Sequence, residues 1–99
     1  MNAKEEFPIT DHNKIKCAVV LNVTWEEDII LKVGHTKEEF KDFLDKLNLF
    51  NYDSGYGSQK LDGTIWLNDG TWYTREEYDG AEWWEYHIIP EIPSELYLQ

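Results

Sequence analysis

The sequence predicts an α+β fold in which a single helix packs on an antiparallel sheet, in the order ββαβββ. Three observations lead there. Residues 14–33 hold two apolar runs of strand length, and residues 36–47 carry one amphipathic helix with its own start signal. Residues 61–89 form three strand-length segments separated by Asp69-Gly70 and Asp79-Gly80, the pattern of a C-terminal three-stranded meander.

Residues 1–13 are polar, contain Pro8 and show no periodicity, so they read as a loosely ordered arm or an edge on a single domain spanning 1–99. Ile15, Cys17, Val19, Leu21 and Val23 then alternate with Lys14, Lys16, Ala18, Val20 and Asn22. A period of two points the first set at a core. Glu26, Glu27 and Asp28 make an acidic turn into the next strand, Ile29 to Val33. Thr36-Lys37-Glu38-Glu39 is a capping box, in which hydroxyl and carboxylate each satisfy an orphaned amide at a helix start. Phe40, Phe43, Leu44 and Leu47 follow as one apolar stripe.

Gly55 and Gly57 around Tyr56 mark a loop over 51–59; in so acidic a chain, with no Lys-Ser/Thr after it, this is not a phosphate cradle. The meander strands run roughly 61–68, 71–78 and 81–89. With two-residue turns, Trp66 pairs with Tyr73, Leu67 with Trp72, Arg75 with Trp84 and Glu77 with Glu82. Arg75 over Trp84 reads as a cation–π contact. Glu77 opposite Glu82 breaks the rule against like charges across an antiparallel pair, and such violations gather at functional sites.

Ninety-nine residues suit one core, and 41% hydrophobic with 15% aromatic residues is too much burial material for a disordered chain. Twenty acidic against nine basic residues give a net charge of −11, which excludes direct nucleic-acid binding and attraction to anionic membranes, and points to a cationic partner. The imbalance is greatest late: no Lys or Arg follows Arg75. One cysteine, Cys17, allows no internal disulfide and argues for a reducing compartment. No secretory h-region or membrane-length apolar run is present.

Catalysis is not expected. Cys17 lies in a regular strand as a small hydrophobe, and paired carboxylates need a deep cleft that a two-layer domain of this size rarely offers. His12, His35 and His87 show no ligand spacing, and Asp69-Gly70 with Glu76 fails as an EF-hand loop because Ile65 and Leu67 would fall at ligand positions, so no metal or cofactor is expected. An irregular calcium site from Glu77, Asp79 and Glu82 is the remaining option. Aromatic rows also suit sugar stacking, although one sheet face must pack on the helix.

Residues 52–93 contain Tyr52-Asp53-Ser54-Gly55-Tyr56-Gly57-Ser58-Gln59, Gly63-Thr64-Ile65-Trp66, Asp69-Gly70-Thr71-Trp72, Tyr78-Asp79-Gly80-Ala81-Glu82-Trp83-Trp84 and Ile92-Pro93. This string resembles a group of small acidic bacteriophage proteins without an assigned activity. The resemblance implies a phage source, the cytoplasm of an infected bacterium, and no catalytic residues. Carboxylates two apart on a strand are separated by about 6.8 Å, comparable with successive phosphates. The expected function is therefore a non-enzymatic inhibitor that occupies a basic surface on a host nucleic-acid-processing protein, such as a nuclease, in the manner of anti-CRISPR or anti-restriction factors. Glu76, Glu77, Asp79, Glu82 and Glu85 would supply the charge, Trp83 and Tyr78 the desolvated anchors, and Asp62, Asp69 and Glu91 weaker additions. The alternative is a structural or interaction module of a phage assembly or replication complex, joined through aromatics and an open strand edge.

Overall fold

A computed structural model describes residues 2–51, 59–79, 81–90 and 93–96. The Gly55-Tyr56-Gly57 loop and Glu91 lie outside the described residues. The chain forms one antiparallel five-stranded sheet and one main helix. In chain order the elements are α1 (Ala3–Glu6), β1 (Ile15–Asn22), β2 (Glu27–Leu31), α2 (Lys37–Asn48), β3 (Leu61–Leu67), β4 (Trp72–Tyr78) and β5 (Ala81–His87), followed by a 3₁₀ turn, Ser94–Leu96. The strand order is β2-β1-β3-β4-β5, so the N-terminal hairpin joins the meander through β1 against β3.

Helix α2 starts where the capping box places it. The Thr36 hydroxyl accepts from the Glu39 amide at 3.1 Å, and the Glu39 carboxylate accepts from the Thr36 amide at 3.2 Å. Phe40, Phe43 and Leu47 are buried on its sheet side.

The N-terminal arm departs from expectation. Asn2 caps the one-turn α1, and its side-chain amide donates to the Asn48 carbonyl and to Asn51 Oδ1, tying the arm to the end of α2. Ala3, Phe7 and Ile9 are buried, and the Phe7 ring meets Phe43 and Trp84 edge-on at 5.3 and 6.2 Å. The reason is geometric. A helix is about 10–12 Å wide, whereas five strands at about 4.8 Å spacing span roughly 19 Å. Since α2 contacts β2, the arm must cover the β4–β5 end.

Two predicted faces are exchanged, the first only beyond Ile15, which is buried as predicted. In β1 the buried residues are Ile15, Ala18, Val20 and Asn22, while Cys17, Val19 and Leu21 are half-buried on the other face. A register irregularity between Ile15 and Cys17 accompanies the change. In the meander, Trp66 pairs with Trp72 and Ile65 with Tyr73, one residue away from the expected register. The turn contains three residues, Asn68 to Gly70. Gly70 N–H donates to the Leu67 carbonyl, Leu67 N–H donates to the Thr71 carbonyl, and Gly70 holds φ +87°. This is a tight turn closed by a glycine bulge, and the extra residue exchanges the faces. The β4–β5 pairing is as expected, from Trp72 with His87 to Tyr78 with Ala81.

Candidate functional site

Among the described residues, the helix and arm cover one face of the sheet and leave the other open. The β4–β5 register divides the acidic residues between them. On the covered side, Arg75 is stacked over Trp84 at 5.5 Å, as the sequence suggests, but it is also fully buried among carboxylates. Its Nη2 lies 2.8 Å from Glu6 Oε2, and its Nε and Nη2 both donate to Glu82 Oε1 at 3.3 Å. Glu82 further accepts from the backbone amides of Lys60 at 2.7 Å and Leu61 at 3.0 Å.

Glu82 is therefore a structural residue and not a surface contact for a partner. Its oxygens are committed to Arg75 and to the start of β3, which explains how it tolerates Glu77 across the hairpin. The calcium option built on Glu77, Asp79 and Glu82 fails for the same reason. Glu77 is exposed on the covered side of the register, beyond the buried ion pair, and Asp79 is exposed in the turn at φ +52°. Asp69 does not join the group: it sits at the opposite end of β4, about 20 Å away along a seven-residue strand.

The open face gathers the remaining predicted residues. Glu76 pairs with Trp83, Thr74 with Glu85, and Trp72 with His87, while Tyr78 closes the hairpin end opposite Ala81. The register extends the surface inward. Cys17, Trp66, Trp72 and His87 form one row across four strands. Asp28 and Asp62 flank Leu21 in another. Large apolar groups stand in solvent here, with Ile30 57%, Trp66 43% and Trp83 41% exposed.

At the β4–β5 end, one donor atom from each of Glu76, Glu85 and His87 lies within 4.8 Å of the others. They converge above Thr74, whose hydroxyl donates to Glu76 Oε1 at 2.7 Å and lies 2.7 Å from His87 Nε2. The imidazole is stacked on Trp72, with centroids 5.4 Å apart and planes 14° off parallel. Sequence spacing concealed this group because two of its members lie on β5 and one on β4. The Asp79-Gly80 turn was the signal that places them on one face.

The other two histidines also meet, His12 and His35 at 6.4 Å, but both ring nitrogens of His35 already lie against the carbonyls of Lys32 and His12. Among the described residues, no helix is long and apolar enough to cross a membrane. Comparison with known proteins finds no matching family model, curated protein or solved structure. The chemistry of the site rests on its own residues.

Proposed function

We propose that this chain is a non-enzymatic binding module that occupies a cationic surface of another protein with its open sheet face. The observation that carries this reading is the composition of that face. Trp66, Trp83 and Ile30 stand partly in solvent beside the carboxylates of Asp28, Asp62, Glu76 and Glu85. Aromatic anchors with a charged surround are the usual anatomy of an interface hot spot, and anionic groups speed and orient the approach of a basic partner.

Within this reading the partner is a host nucleic-acid-processing protein, and the chain an inhibitor of the anti-CRISPR or anti-restriction type. Two things support that class. The net charge of −11 suits a surface built to hold phosphates, and the phage-like motifs of residues 52–93 suit a bacterial host. Trp83, Tyr78, Glu76 and Glu85 carry the contact, Asp79 adds charge at its rim, and Glu82 holds the hairpin from behind.

The test is capture from bacterial lysate followed by calorimetry with the purified captured protein. Glu76→Lys with Glu85→Lys should weaken binding and flatten its salt dependence, and Trp83→Ser should weaken it at all salt concentrations. A folded triple variant that binds as well as the parent would overturn the reading.

Among the described residues no strand pairs with the outer edge of β5, and this edge, followed by the exposed Ile88 and Ile89, supports a second reading as a strand-adding module of a phage assembly. That contact would persist in high salt.

A further inference from the structure

We propose that Glu76, Glu85 and His87 form a binding site for a divalent transition-metal ion of the zinc type. This goes beyond the partner-binding reading and does not depend on it. Two carboxylates and an imidazole are a mixed donor set that borderline metals accept and that calcium or magnesium does not favour. The required movement is small. Zinc holds N and O donors at about 2.0–2.2 Å, which sets neighbouring donors roughly 3.3 Å apart in a tetrahedron. The three donors already lie within 4.8 Å of one another, and the outer torsions of the two Glu side chains are the freedom by which they would draw in around an ion.

Two further features support the assignment. Trp72 stacks on the His87 ring and fixes its plane beside the two carboxylates. The two carboxylates are also held near each other without an Arg or Lys ion-pair partner among the described residues. A cation between them removes that repulsion.

Thr74 supplies the outer contact. Its single hydroxyl proton is given to Glu76, so His87 Nε2 carries its own proton and donates to Thr74 Oγ1. Coordination through Nε2 needs the other tautomer: the Nε2 proton passes through solvent to Nδ1, the ring stays neutral, the Nε2 lone pair takes the metal, and Thr74 is left orienting the Glu76 carboxylate. Three protein ligands leave one tetrahedral position open to water.

The experiment is a zinc titration of the full chain, followed by calorimetry and tryptophan fluorescence, with Trp72 as the reporter beside His87. The expected result is saturable binding of one ion per chain with a change in emission. His87→Ala, and separately the near-isosteric Glu85→Gln, should each weaken it by about tenfold or more. The double variant His12→Ala/His35→Ala should bind as the parent does. Circular dichroism establishes that each variant is folded, and Glu85→Gln keeps the test decisive if His87→Ala is not. Absence of saturable binding, binding that survives Glu85→Gln in the folded protein, or binding lost with His12 and His35 would overturn the proposal. Calcium binding of equal strength, indifferent to His87, would do the same by reducing the site to diffuse anionic attraction.

Discussion

Arg75 and Glu82 show how one buried pair organises the β4–β5 hairpin. The Arg75 side chain is fully enclosed, and Glu82 links it to the first two amides of the β3 approach. Removing one member of a buried, hydrogen-bonded pair leaves an uncompensated charge. Glu82→Ala should therefore destabilise the protein by about 3 kcal/mol in urea unfolding, the lower part of the range for such losses, because Glu6 still faces the guanidinium. A loss below about 0.5 kcal/mol, the level of an ordinary surface change, would mean that Glu82 is dispensable. The sequence could not reveal this pairing: Glu6 lies 69 positions from Arg75, and alternation assigns Glu82 a face without saying what covers it. Asp69 is a local case. The Thr71 hydroxyl and then the Thr71 amide donate to its carboxylate, holding its pKa below the ordinary 3.8. A depressed folded pKa contributes stability that is present above the unfolded value and lost as pH falls through the folded one. An NMR titration should place the Asp69 midpoint below that of an unperturbed aspartate, and Thr71→Val should raise it.

At the level of elements, legibility followed the range of the signal. The α2 capping box is four residues long and was readable, and Thr36→Ala should cost about 1 kcal/mol of stability. Helix α1 has four residues and no periodicity, so its role emerges only from what it covers. Truncating Phe7 to Ala removes the ring between Phe43 and Trp84 and should cost about 3 kcal/mol, which a disordered arm would not. The β3–β4 turn differs from the two-residue expectation because Asp-Gly serves both a two-residue turn and a three-residue turn with a glycine bulge. Only the backbone hydrogen bonds distinguish them. In β1 both faces are apolar, so alternation could not say which one the helix would take. Gly63 explains the close approach of β3 to β1. At φ +146°, a Cβ there would collide with the Val19 carbonyl oxygen. Gly63→Ala should therefore destabilise by well over about 1 kcal/mol, and amide exchange should show the loss first along β1 and β3.

Across the whole molecule, Trp66, Trp83 and Ile30 stand partly in solvent among the described residues of a chain of net charge −11, and the two facts bear on each other. Buried against a second copy, Trp66, Trp83 and Ile30 would stabilise a dimer, but each approach of two such chains is opposed by like charge. A basic partner meets no such opposition, so the same face favours a cationic protein over itself. The balance can be shifted without mutation. Lowering the pH towards the isoelectric point of about 4.5 protonates carboxylates and removes the repulsion, while the aromatic area is unchanged. Sedimentation should show a monomer at neutral pH and low salt, and self-association as the pH approaches 4.5. Trp66→Ser with Trp83→Ser should suppress that association, whereas changes on the exposed side of α2 should not. If the parent stays monomeric near its isoelectric point, the exposed Trp66, Trp83 and Ile30 are too few or too wet to hold a second copy even without charge repulsion.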